Sequence, residues 1–456
     1  TYTDFANISL GGVLPDGTDG SSEVTWLLLD VIKEMHLLLP STNLQLASVT
    51  PDAVLARALQ VIRRGYGFPS LFNADMVVAE QLRVGKSIED ARAGGCSGCV
   101  ETRAFGKESC VLTGYFNLPK VLELVLHDGV DPRTGERLLT AGAVDPGAGE
   151  DFESLYGAFE FGLAEVLEVK LAGNAIIERM YAESMPAPFL SLLVDDCVRN
   201  ARDYNAGGAR YHNRYVQMVG IGTITDSLSA IRQLVHEEGR IGLVDLVRSL
   251  DQDFEGAESL RQRLVNRVPR WGNDDDRADD LMARVFESAV RLVDGRPSET
   301  DGRYRVQMLP TTCHVYFGSV TGATPDGRRA GRPLSEGISA VQGTDRLGPT
   351  AMLRSAAKMD HRMTGGTLLN MKLTPALLEG DEGIEDISQL VRGYFRLGGH
   401  HIQFNVVEAE TLRAARAEPE QWRDLIVRVA GYSDYFCDLS PALQEEIIER
   451  TEHRAV

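Results

Sequence analysis

Arg428-Val429-Ala430-Gly431-Tyr432-Ser433-Asp434-Tyr435, close to the end of the chain, is the stretch on which the fold reading turns. An apolar run, Leu425 to Val429, leads into a glycine followed by an aromatic residue. Read plainly, this is a strand and a tight turn. Glycine has no Cβ, so the chain can bend sharply at Gly431 and its Cα can flatten without steric cost. The plain reading and a chemically active glycine both fit these eight residues, and the rest of the chain has to separate them.

The 456 residues, 43% of them hydrophobic, can bury a large core in one big domain or a few smaller ones. A formal net charge of -19 argues against nucleic acid or an anionic membrane surface as partner. No run approaches the roughly 20 apolar residues of a membrane span, and no signal peptide is read. Six cysteines (Cys96, Cys99, Cys110, Cys197, Cys313 and Cys437) are too sparse for a disulfide scaffold, so a reducing cytoplasm is expected. The chain begins at Thr1 with no initiator Met and no obvious domain start, as a fragment would.

Strand-like and helical periodicities alternate along the chain, which predicts an α/β architecture. Val24 to Leu38 reads as an amphipathic helix. Thr50 and Pro51 open a second helix that ends at Gly65. Further helices are expected over residues 73–84, from Ser87, over Leu118 to Leu126, over 151–181, over 226–250, from Asn273 to about Val293, and from Ser440 to Arg450. Residues 129–149 read as a long turn or exposed loop. Val216 to Gly222 and Met308 to Val320 read as strands. In His401 to Val407 the alternation puts Ile402, Phe404 and Val406 on one face, Gln403 and Asn405 on the other. Gln403 and Asn405 then either line an interior or satisfy loop backbone.

Gly94-Gly95-Cys96-Ser97-Gly98-Cys99-Val100-Glu101 is too glycine-dense for a helix and reads as a tight loop. A cysteine held there by backbone can present its sulfur to a cavity, and a carboxyl two residues on can share that cavity as proton donor or acceptor. Three other readings stay open on the residues alone: a redox dithiol, half of a zinc site, or a small buried cysteine. No second CxxC or His pair completes a zinc set. The acid run Asp274-Asp275-Asp276 is read as a helix start favoured by the dipole rather than as a metal site. His400-His401 lacks the spacing of a helical metal pair and reads as packing or surface.

Taken together, the two loops resemble those of the glycyl radical enzymes. Arg428-Val429-Ala430-Gly431-Tyr432 is similar to the family's RVxGY radical loop, and Gly98-Cys99-Val100-Glu101 to the GCVE form of its cysteine loop. Between them, Ala209-Arg210-Tyr211, Gly222-Thr223-Ile224-Thr225-Asp226, Gly272-Asn273-Asp274-Asp275, Pro333-Leu334-Ser335-Glu336-Gly337 and Gln403-Phe404-Asn405 also resemble family sequence, in order. The resemblance implies a ten-stranded α/β barrel with both loops meeting at its centre. Residues 1–334 would be the later part of the barrel domain, with the cysteine loop near 95–102. Residues 335–456 would be the glycine radical domain, with the radical loop near 428–436. Family members are about twice this length, so N-terminal sequence, part of the substrate pocket included, is expected to be missing.

Within the family, Phe105-Gly106-Lys107-Glu108, Leu112-Thr113-Gly114-Tyr115, Pro310-Thr311-Thr312-Cys313-His314-Val315-Tyr316-Phe317-Gly318 and Lys358-Met359-Asp360-His361 look closest to the arylacetate decarboxylases, although Arg103 stands where a glycine is expected. The resemblance then implies three catalytic residues, Gly431, Cys99 and Glu101, with no tightly bound cofactor and no metal. A radical S-adenosylmethionine activase would take a hydrogen from Gly431. Cys99 would return one and become a thiyl, and Glu101 would hold or shuttle the proton at the carboxylate of a small aromatic acid, which loses carbon dioxide. A homodimer is expected, and a small iron–sulfur subunit accompanies some 4-hydroxyphenylacetate members. Oxygen would cut the activated chain at Gly431 and release a short C-terminal peptide. The rival readings are a glycyl radical dehydratase or C–N or C–S lyase, and a non-catalytic radical-domain partner, which Cys99 argues against.

Overall fold

In the computed structural model, residues 6–140 and 151–455 are described; the end of the loop expected over 129–149 lies outside them. Fourteen strands are found, in chain order β1 (Asn7–Gly11), β2 (Ser41–Leu46), β3 (Ser70–Asn73), β4 (Gly95–Ser97), β5 (Glu101–Arg103), β6 (Glu108–Asn117), β7 (Tyr211–Val219), β8 (Arg303–Met308), β9 (Thr364–Thr367), β10 (Asn370–Leu373), β11 (His401–Val406), β12 (Ile426–Arg428), β13 (Ser433–Tyr435) and β14 (Glu452–His453). Two larger sheets carry the architecture. One runs β6-β7-β8-β9, all parallel; the other runs β1-β2-β3-β11-β10-β14 and is parallel except between β3 and β11. Every residue of β2, β3, β10 and β11 is buried, as expected of strands covered on both faces. The fold is α/β, as the alternating periodicities predict.

The last part of the chain builds no sheet of its own beyond the small β12–β13 hairpin. Strand β9 extends the four-stranded sheet, while β10, β11 and β14 extend the six-stranded one. The final helix, Pro441–Glu449, is capped by Ser440, whose side chain accepts from Leu443 N. At its other end the buried Lys372 donates to the carbonyls of Ile448 at 2.9 Å and Ile447 at 3.4 Å. These are carbonyls that a helix C-terminus otherwise leaves unpaired.

Several helices sit where the sequence places them: Glu23–Met35, Ala74–Arg83, Ile88–Arg92, Leu118–Leu126, Phe152–Ser184 and Asp276–Val293. Three expectations are corrected. Thr50 does not cap the helix Asp52–Val61, because its hydroxyl is occupied with Ala47 N and Asp19. The helix expected over 226–250 is two pieces, Ile221–Glu237 ending in a wide π turn and Leu243–Asp251, parted at Gly239, whose φ is +57°. Met308 to Val320 is no strand: β8 stops at Met308, Pro310 has no N–H to continue a ladder, and Cys313–Ser319 is helical. The acid run is accounted for by structure. Asp275 caps its helix, and Asp274 and Asp276 lie 3.1 and 2.7 Å from the Lys358 ammonium. Among the described residues no helix is long and apolar enough to cross a membrane.

Candidate active site

The glycine loop is the tip of the β12–β13 hairpin. Val429 N donates to Tyr432 O at 2.8 Å, which leaves Ala430 and Gly431 to turn the chain. Gly431 has φ +85°, a conformation that costs glycine little and other residues more. A Cβ built there would lie 2.6 Å from Cys99 Sγ, far inside contact distance. Gly431 and Cys99 therefore touch, and only a glycine allows it.

Buried amides hold the hairpin from below. Asn405 brackets Arg428, accepting from its N–H and donating to its C=O, both at 2.7 Å. Asn370 donates to Val429 O at 2.9 Å. Gln403 lies beside Asn370 in the β10–β11 register, donates to its Oδ1, and accepts from Arg428 Nε at 2.7 Å. The polar face read from the alternation in this strand thus serves loop backbone and Arg428.

The cysteine loop joins β4 to β5, with Gly95↔Arg103, Cys96↔Thr102 and Ser97↔Glu101 in register. Gly98 turns the chain at φ +67°. One oxygen of Glu101, Oε2, accepts from Cys99 N at 2.8 Å and from Val100 N at 3.0 Å. The carboxylate expected to serve the substrate is thus also the clamp that shapes the loop presenting the sulfur. Its Oε1 is engaged by no hydrogen bond among the described residues. Gly366, at φ +132°, lets the Val100 carbonyl pack against β9 where any side chain would collide.

Cys96, Cys99 and Val100 are buried among Phe72, Leu309 and Ala430, so the sulfur sits in apolar surroundings. Burial first, and the nearby Glu101 carboxylate second, push the Cys99 thiol well above the usual cysteine range. It therefore keeps its hydrogen at neutral pH, unlike the exposed, electropositive thiolates used as nucleophiles. Cys96 is raised too, again by burial, and the two cysteines are unbonded. Among the described residues no three His, Cys, Asp or Glu side chains come together as a metal set. His400 and His401 are fully buried, and their Nδ1 atoms accept from Thr367 N and Leu369 N at 3.4 and 3.3 Å.

Some residues near the pair are not singled out by sequence reasoning. The Tyr115 hydroxyl donates to Thr311 Oγ1 at 2.8 Å, and burial pushes it up to about 12, with Cys313, Cys99 and Glu101 close enough to add to the shift. Thr311 holds φ +50°, rare for a β-branched residue and a form of strain that gathers at functional sites. Tyr432 is also raised, by burial and by charges that include Cys99. Their signals in the sequence, Leu112-Thr113-Gly114-Tyr115 and Pro310-Thr311-Thr312-Cys313, carry subgroup likeness and no geometry.

A pyruvate formate lyase-like family model matches residues 1–318, and a glycine radical model matches residues 334–437. The chain belongs to the glycyl radical enzymes. Membership implies a protein-based glycyl radical, and the glycine radical model spans Gly431. Among curated relatives, this glycyl radical enzyme is 50% identical to trans-4-hydroxy-L-proline dehydratase of Clostridioides difficile over 453 residues, covering 99% of the chain and 57% of that protein. The crystal structure of that organism's hydroxyproline dehydratase with trans-4-hydroxy-L-proline bound superposes with a TM-score of 0.98 at 49% identity, over 100% of this chain and 57% of that one. Indoleacetate decarboxylase of Tractidigestivibacter scatoligenes is 32% identical over 483 residues, covering 99% of the chain and 54% of the relative. The chain spans a little over half the length of these relatives.

Arylacetate decarboxylation, expected from the subgroup motifs, is overturned by these identities, since the likeness to a dehydratase is much the stronger. The aromatic substrate and the small iron–sulfur subunit were tied to that branch and lapse with it.

Proposed function

We propose that the chain is the radical-bearing part of a glycyl radical dehydratase that eliminates water from a small hydroxylated substrate of the hydroxyproline type. The contact between Gly431 and Cys99 in a buried, apolar site carries the radical reading. The 50% identity to trans-4-hydroxy-L-proline dehydratase across 99% of the chain supports the substrate class. In this reading residues 1–334 are the later part of the barrel domain and residues 335–456 the glycine radical domain.

Gly431 stores the unpaired electron at Cα. Cys99 gives its thiol hydrogen to Gly431 and becomes a thiyl, an exchange near balance because S–H and glycyl Cα–H bonds are close in strength. The thiyl takes a hydrogen atom from the substrate carbon next to the one bearing the hydroxyl. The neighbouring C–O bond then breaks with its electron pair, and the heteroatom on the radical carbon gives up a proton so that the organic fragment stays a neutral radical. That proton and the departing hydroxide make water, and the product radical recovers a hydrogen atom from Cys99, which returns to the thiyl. Glu101, two residues from Cys99 and with Oε1 in no hydrogen bond among the described residues, is placed to move a proton during the elimination. The apolar packing around Cys99 keeps the thiyl apart from stray hydrogen-atom donors and from oxygen.

The test is anaerobic turnover by the full-length protein after activation. Dehydration of trans-4-hydroxy-L-proline, with no carbon dioxide from arylacetates, supports the reading; the reverse pattern overturns it. Cys99→Ser should keep the organic radical signal and lose all turnover.

A further inference from the structure

Arg428 is among the most deeply buried large side chains in the molecule, at 0% exposure. Apart from Arg328, which ends on backbone carbonyls and the Thr324 hydroxyl, the other buried arginines face acids: Arg214 lies 3.4 Å from Glu178, Arg270 3.0 Å from Asp226, and Arg450 2.8 Å from Glu446. Arg428 does not. Among the described residues it has no carboxylate partner, and its N–H groups end on neutral oxygens. Nε donates to Gln403 Oε1 at 2.7 Å; Nη1 to Ser41 Oγ at 3.2 Å and Ser433 Oγ at 3.4 Å; Nη2 to Ser70 Oγ at 2.6 Å and Gly431 O at 2.9 Å.

A buried cation without a counter-ion is expensive, and burial pushes the proton affinity of Arg428 down to about 10, still charged at neutral pH. A neutral amide or a serine could have closed the hairpin more cheaply. The charge, however, falls on the carbonyl of the residue that stores the radical. An electron left at a glycine Cα is shared between the amide nitrogen, which donates, and the carbonyl, which accepts. A cationic N–H on that carbonyl oxygen strengthens the accepting half, and charge-assisted bonds of this kind are the stronger class. The rigid fork also reaches Ser70 and Gln403 from adjacent atoms, which fixes the peptide plane as a flexible lysine could not.

We propose that Arg428 is the positioning residue that sets the balance of hydrogen exchange between Gly431 and Cys99, by a charge-assisted bond to the Gly431 carbonyl that favours the stored glycyl radical over the thiyl. The inference rests on the Gly431–Cys99 reading above. The exchange itself is Gly431 Cα• plus Cys99 S–H giving Gly431 Cα–H plus Cys99 S•, with one hydrogen atom moved and no net charge. The hydrogen bond from Arg428 falls on only the Gly431 side of it.

The experiment uses the activated full-length protein, with electron paramagnetic resonance as readout. Arg428→Gln should raise the α-proton splitting, because spin withdrawn from the carbonyl returns to Cα. In D2O the doublet should collapse to a singlet about tenfold faster, because the thiyl side is visited more often. Arg428→Lys should fall between the two. Unchanged splitting and collapse rate in folded Arg428→Gln overturn the proposal. If that variant does not fold, Gln403→Glu carries the same test, since a carboxylate draws the cation from the Gly431 carbonyl. It should shift both readouts in the same direction, and unshifted values overturn the proposal. Failure of the underlying reading looks different: the wild-type protein shows no doublet, or the doublet survives Gly431→Ala.

Discussion

The glycine loop and the cysteine loop meet at van der Waals contact, yet they are held in opposite ways. The glycine hairpin is fixed from outside, by Asn405, Asn370 and Gln403 on the underlying sheet and by serines that Arg428 reaches on or beside β2, β3 and β13. The cysteine loop is clamped at its tip by its own side chain: Glu101 folds back onto the N–H groups of Cys99 and Val100 among apolar neighbours, while Ser9 and Asn43 of β1 and β2 hold only the Cys96 carbonyl at its base. A radical store needs a peptide plane that does not move, which a scaffold supplies. The cysteine has to serve both the glycine and a substrate, and a self-clamped loop can do so without coupling each event to the sheet.

The comparison breaks most completely at the contact itself. Gly431→Ala adds a methyl inside Cys99 and asks alanine for φ +85°, so the radical signal and turnover should vanish, with about 1–3 kcal/mol lost in denaturant unfolding. Glu101→Gln removes the carboxylate clamp and the proton site together. Turnover should fall by about 10²–10⁴ while the doublet amplitude stays within error, because the glycine side is held independently. Asn405→Ala does the converse. With the backbone N–H of Arg428 left unpaired and its C=O left to the longer bond from Arg450 Nη1 at 3.3 Å, stability should drop by about 1–3 kcal/mol and spins per chain should fall, while turnover per spin changes little.

The remaining effect is in pH and reaches stability alone. In the short helical turn before β9, burial pushes the His361 imidazole down to about 4, so the fold holds it neutral. Its contribution is complete above about 6.5, where the unfolded histidine is neutral too, and up to about 3 kcal/mol is lost as pH falls towards 4. On the cysteine side, burial pushes the Glu80 carboxyl, which accepts from Thr102, up to about 7. Its contribution is complete below about 4.3 and is lost as pH rises through 7. Urea titrations over pH 4 to 7 should show His361→Gln flattening the rising component and Glu80→Gln the falling one. Parallel curves for the two variants would erase the distinction.

Legibility followed chemistry. Gly431, Cys99 and Glu101 stand in short stretches whose residue types are dictated by a turn, a contact and a clamp, and the structure brings all three together. Asn405 and Gln403 could be placed on a face by alternation, but what that face touches depends on residues far away in sequence. Arg428 was read only as part of a motif, because its burial is a property of the whole sheet. The misread segments have physical causes. Val315, Tyr316 and Phe317 favour strands by propensity, and Pro310 with the strained Thr311 overrides them. The reaction was misjudged for a related reason: the residues that store and pass a radical do not say which bond it breaks.

The placement of β14 bears on damage. If oxygen cuts the backbone at Gly431, the segment behind the cut is not a loose tail. Its helix stays anchored on Lys372, Glu452 and His453 stay in ladder with β10, and His453 stays 3.0 Å from Asp345. The peptide expected to be released should therefore remain seated: a nicked molecule would elute as one particle, and the break would show only once it is denatured. Loss of function and loss of shape are, in this chain, separable events.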